Sequence, residues 1–139
     1  MSVIARSHHI GLSVADLDAQ QRWYQQALGL DEVVEHFELP EPRVRTVVLR
    51  AANGLRIELI EREGSTARTF HDPLEAALTR GYGHWALEVE DLDQTFATLS
   101  AVGAESVSPP GPAVQPGARF AYVRDPEGNL LELIQPQAT

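Results

Sequence analysis

The first clear pattern in the chain is an alternation. Ile10, Leu12 and Val14 fall on one side of an extended segment and His9, Gly11 and Ser13 on the other, which predicts a half-buried strand over residues 8–14. Asp16 follows as a helix N-cap. Leu17, Gln20, Trp23, Tyr24, Ala27 and Leu28 then recur at helical spacing, and Gly29 is placed to end the helix. A looser strand is expected over 32–37, broken by Pro40-Glu41-Pro42. The Val-rich segment 43–50, a turn at Ala51-Ala52-Asn53-Gly54 and the segment 55–61 read as a hairpin. The order is β-α-β-β-β.

The same order then restarts. After a linker over 62–82, with a short helix expected within 72–79, residues 84–89 form a strand and Asp91 a cap. Leu92, Phe96 and Leu99 make a helical stripe that runs out at Gly103. Residues 104–107 read as a short strand and 108–117 as a Pro/Gly-rich loop. Segments 119–124 and 130–135 form a hairpin around Asp125-Pro126-Glu127-Gly128, a strong turn sequence. The two copies span 7–61 and 83–136. Units this short bury little core alone, so the expectation is one α+β domain, 1–139.

The repeat carries chemistry at matching points. His9 opens the first copy and His84 the second, 75 positions on; Glu58 and Glu132 sit in the last strand of each, 74 apart. Glu58 lies between Ile57 and Leu59, and Glu132 between Leu131 and Leu133. A carboxylate in the middle of an apolar strand costs several kcal/mol, on the order of 1–5, to bury unpaired. Two imidazoles and two carboxylates related by one repeat suit a divalent cation, whether Zn, Ni, Co, Mn or Fe(II). On pattern alone, two His–Glu hydrogen-bonded pairs without metal remain the alternative.

Composition narrows the partners. The chain has 139 residues and a formal net charge of −9, and its 11 basic residues, all Arg, are scattered, which argues against a nucleic-acid ligand. No cysteine is present, so disulfides and thiolate ligands are excluded. The apolar runs are strand-length, far short of the roughly 20 residues of a membrane span. The N-terminal segment has no apolar signal core, making the cytoplasm the expected compartment.

These motifs resemble those of the vicinal oxygen chelate superfamily, which includes glyoxalase I, methylmalonyl-CoA epimerase, extradiol dioxygenases, and fosfomycin and bleomycin resistance proteins. The resemblance runs from His9-Ile10-Gly11-Leu12 through Trp23-Tyr24, Leu28-Gly29-Leu30 and Gly83-His84 to Asp125-Pro126-Glu127-Gly128-Asn129 and Glu132-Leu133-Ile134. It implies a half-open, barrel-like mixed sheet around one divalent metal, with His9, Glu58, His84 and Glu132 at the ligand positions. A ligand set with a carboxylate at position 58 is similar to that of glyoxalase I and close to that of the epimerases. It departs from the two-His, one-Glu set of the dioxygenases. The implied activity is that of a lyase or isomerase that chelates two substrate oxygens and moves a proton through an enediolate. By the same resemblance Glu132 is the expected base and Glu58 the partner carboxylate opposite it, and a homodimer is expected.

Two readings stand behind that one, an Fe(II) ring-cleaving dioxygenase and a non-catalytic drug-binding protein. Arg45 and Arg119 each precede their Glu by 13 positions and are expected on the same face as those carboxylates, where they would hold a small anionic substrate. His8, His36 and His71 have no counterpart in the other copy and read as surface residues. Trp23, Tyr24 and Phe96 read as core.

Overall fold

The computed structural model describes residues 1–139, which form two compact units, 1–67 and 68–139. In the first unit β1 (Ile10–Val14), α1 (Leu17–Leu28), β2 (Glu32–Pro40), β3 (Arg43–Arg50) and β4 (Arg56–Arg62) follow the expected order. The strands make one sheet, β1-β4-β3-β2, in which β1 runs parallel to β4 and the other pairs are antiparallel. Asp16 caps α1 by accepting from the Ala19 amide at 2.9 Å, and Gly29 ends it in the left-handed region at φ 67°. The apolar stripe of α1 and the helix side of the sheet supply a core that includes Val14, Tyr24, Val47, Leu49, Ile57 and Leu59.

The second unit begins with α2 (Pro73–Ala76), followed by β5 (His84–Glu88), α3 (Leu92–Ala101), β6 (Glu105–Pro112), β7 (Arg119–Arg124) and β8 (Leu130–Gln135). Its sheet, β5-β8-β7-β6, repeats the first topology, with β5 parallel to β8. Leu87, Leu92, Leu99, Val123, Leu131 and Leu133 are its buried core. Buried Asp125 fixes the β7–β8 turn by accepting from the amides of Glu127 and Asn129, both at 2.9 Å. Arg124 ties residues 70–71 to this unit by donating to the carbonyls of Phe70, at 3.1 Å, and His71.

Helices α1 and α3 are fastened to their sheets by one device that uses two residue types. The free amide at the start of each helix finds a side-chain acceptor three positions beyond the Glu of the repeat. Leu17 N donates to Glu61 Oε2 at 2.8 Å, and Leu92 N to Gln135 Oε1 at 2.7 Å.

The architecture is therefore α+β: two four-stranded mixed sheets, neither closed into a barrel, as the half-open description implied. Three local expectations shift. The first strand begins at Ile10, with His8 and His9 just before it. The helix expected within 72–79 is a single turn capped by Asp72. The segment expected to be a loop after residue 107 continues as β6 through Pro109-Pro110. β6 is an edge strand paired only to β7, with register shifts between Ser106 and Ser108 and between Ser108 and Gly111, so prolines cost it few ladder bonds. No helix is long and apolar enough to cross a membrane.

Candidate functional site

The strand registers decide which side chains share a face. In the first unit β1 and β4 pair Gly11 with Glu58, so His9, two residues before Gly11, lies on the Glu58 side of the sheet. His9 Nε2 stands 4.0 Å from Glu58 Oε1, with the two side chains 35% and 23% exposed. The Nδ1 atoms of His8 and His9 are 2.8 Å apart. In the second unit His84 and Glu132 share a face by the same logic, since Ala86 pairs with Glu132. Here the contact is tighter, 3.0 Å from His84 Nε2 to Glu132 Oε2, with exposures of 36% and 19%. Each unit thus brings one imidazole and one carboxylate together on the side of its sheet away from the helix. No group of three or more His, Asp or Glu side chains of the chain lies close enough to hold a metal ion. What each unit presents is a two-donor pair of the types that bind divalent metals, half open to solvent, so the donor chemistry fits such an ion.

The two pairs do not have the same surroundings. Across β7 and β8, Tyr122 is the partner of Glu132 and shares its face. Its hydroxyl lies 3.4 Å from His84 Nε2, and its ring meets the His84 ring edge-on with centroids 5.3 Å apart. Burial first, then a hydrogen bond to Glu132 and the charge on that carboxylate, pushes the Tyr122 phenol well above its ordinary range. The Tyr122 proton therefore stays in place as a hydrogen-bond donor. In the first unit the corresponding partner of Glu58 is Val48, which donates nothing.

Arg45 and Arg119 do not share the carboxylate face. Arg45 is the cross-strand partner of Glu61 and Arg119 of Gln135, three residues beyond Glu58 and Glu132 respectively. An odd step along a strand reverses the side, so both arginines lie on the helix side. There they grip the first turns of the helices. Arg45 bonds Asp18 at 3.0 Å, with Glu61 at 3.5 Å, and Arg119 holds both oxygens of Asp93 at 2.8 and 3.0 Å. The hydrogen bond from Arg119 holds the Asp93 carboxyl below its ordinary range. The anion-binding role expected of Arg45 and Arg119 on the carboxylate face is corrected by this register. A cleft of about 200 Å³ in the first unit is lined by Leu17, His36, Phe37 and Arg45, among others, and neither His9 nor Glu58 lines it. Trp23 and Tyr24 are buried as expected, and His8, His36 and His71 are exposed.

A model of the Glyoxalase/Bleomycin resistance protein/Dioxygenase superfamily matches residues 6–133, across both copies of the repeat. The chain belongs to this superfamily. A lactoylglutathione lyase of Haemophilus influenzae is 30% identical over 131 residues, covering 94% of this chain and 93% of the relative. A lactoylglutathione lyase of Arabidopsis thaliana is 25% identical over 127 residues, and there the match covers 91% of this chain but only 43% of the plant protein. The chain thus spans less than half the length of the plant relatives it matches. Among solved structures, a glyoxalase family protein of Enterococcus faecalis superposes with a TM-score of 0.78 at 25% identity, covering 93% of this chain and 96% of that one.

Proposed function

We propose that this superfamily member is a divalent-metal-dependent lyase or isomerase of the glyoxalase I or epimerase type, with His9, Glu58, His84 and Glu132 as the ligand set. The observation that carries the reading is the recurrence of one His–Glu pair in each unit, on the side of that unit's own four-stranded sheet away from its helix. The lactoylglutathione lyase relatives support the lyase class. A bound divalent ion would polarise two neighbouring substrate oxygens and stabilise the negative charge that builds on them when the adjacent C–H is lost.

The residues of the chain divide the remaining work. Glu132 accepts the substrate proton and returns it to the neighbouring carbon, so no proton is gained or lost overall. Tyr122 stands across the strand from Glu132 on the same face, whereas Glu58 faces Val48. Glu58 is the partner carboxylate. A homodimer is proposed on β2, an edge strand with exposed Val33, Val34, Phe37 and Leu39 and only β3 beside it, which a second copy would cover.

Metal analysis of the purified protein tests the class. Close to stoichiometric Ni, Zn or Co is expected. Iron accompanied by oxygen uptake would replace this reading with a dioxygenase, and protein that stays metal-free after equilibration with each of these ions would remove it.

A further inference from the structure

Beyond the repeated pairs, several positions on the carboxylate faces break the symmetry between the units, and two of them bring a polar side chain beside the repeated Glu. One is Tyr122, which stands where the first unit has Val48. The other is Arg56, two residues before Glu58 on β4, which stands where the second unit has Leu130. Alternation along β4 places Arg56 on the same side as Glu58, about 7 Å along the strand. His9 shares that side.

Arg56 also stands apart from the other arginines of the chain. Five arginines are half-buried: Arg45, Arg50, Arg56, Arg119 and Arg124. Four of them grip a carboxylate, Arg45 with Asp18, Arg50 with Glu32, Arg119 with Asp93 and Arg124 with Glu105. Arg56 has no such partner, and its Nε is buried without a hydrogen-bond acceptor. In a chain of net charge −9 carboxylates are abundant, yet none makes an ion pair with Arg56. A buried guanidinium donor without an acceptor is uncommon and calls for one from outside the chain.

We propose that Arg56 is a specificity-determining residue that receives a compact anionic group, a carboxylate or a phosphate, on the substrate of the His–Glu site. This rests on the reading of that site given above. The flat fork of Nε and terminal NH₂ donors fits two oxygens of one anion, and its place on the Glu58 side of β4 sets that anion beside the Glu58 end of the site. The substrate class is therefore a small oxygen chelator that also carries a compact acidic group.

Two arms of one experiment separate this inference from the metal reading. In the first, the metal-free full chain is titrated with succinate and, separately, with inorganic phosphate while the arginine Nε–H signals are followed by NMR. The Arg56 signal is identified by its loss in Arg56→Lys. It is expected to shift saturably with at least one probe, and the probe that acts tells carboxylate from phosphate. An Arg56 signal unmoved by both overturns the proposal, whatever the metal does. In the second arm, the metal-loaded protein is titrated by calorimetry with acetohydroxamate, a chelator without an acid group, and with succinic monohydroxamic acid, which adds a carboxylate. The acid form is expected to bind about tenfold to a hundredfold tighter in the wild type. Arg56→Gln is expected to erase that preference and leave acetohydroxamate binding unchanged, which shows that fold and metal are intact. Equal binding of the two hydroxamates by the wild type contradicts the proposal, while loss of all metal binding with a responsive Arg56 signal contradicts the metal reading alone.

Discussion

Replacing Glu132 with glutamine is expected to abolish exchange of the substrate C–H proton, a loss of at least about a hundredfold to ten-thousandfold, while metal stays largely bound. The amide keeps the size of the side chain and an oxygen able to coordinate, but it lacks the basic lone pair that takes the proton. The position also explains why the effect should be clean. Glu132 lies in β8 between buried Leu131 and Leu133, so the strand holds its place without help from the carboxylate. The partners it would lose in charge, His84 at 3.0 Å and the Tyr122 hydroxyl, can still hydrogen-bond an amide. Glu58→Gln is expected to fall in the same way, because the proposed set needs both carboxylates. Full exchange activity in both variants would leave the proton-transfer reading without its base. Exchange would be followed by NMR of substrate in deuterated water, with metal content measured on the same samples.

Removal of either imidazole should act on the metal instead. His9→Ala and His84→Ala are each expected to weaken divalent metal binding by about a hundredfold or more, since one ligand of four carries roughly 3 kcal/mol of a typical structural zinc affinity. Both side chains are about one-third exposed and carry no part of either core, so thermal unfolding of the metal-free protein should move little. That contrast separates a ligand from a structural residue. The test is competition of each variant with a chromogenic chelator. Variants that bind metal as the wild type does would return the two pairs to the status of simple side-chain contacts.

Much of the fold was legible because local rules and packing agree in it. Alternation at Ile10-Gly11-Leu12-Ser13-Val14, the caps at Asp16 and Asp91 and the stop at Gly29 are each enforced by short-range geometry, and each is found. The faces of His9, Glu58, His84 and Glu132 follow from alternation within single strands. The face of Arg45 does not, because it depends on a register across a hairpin. That hairpin closes at Arg50 and Arg56, which makes Val48 the partner of Glu58 and leaves Arg45 an odd step away. The spacing of thirteen positions before the Glu is the same in both copies, but a spacing that crosses a turn carries no parity. The repeat misled in a second way. Attention to matching residues passes over Tyr122 and Arg56, whose interest lies in having no match. It also passes over Glu61 and Gln135, which do one job with different side chains. A hairpin count from Arg124 and Leu130 across the Asp125-Pro126-Glu127-Gly128 turn would have paired Tyr122 with Glu132.

The most direct test of metal-dependent proton transfer is deuterium incorporation at the substrate carbon, measured by NMR with lactoylglutathione and other 2-hydroxyacyl and 2-oxoacyl compounds. Each would be run with native protein, with protein stripped by a chelator, and with stripped protein to which metal has been restored. The expected result is incorporation that stops on stripping and returns with metal for at least one compound of this class. Incorporation that persists unchanged in the stripped protein, or oxygen consumption without any incorporation, would contradict it.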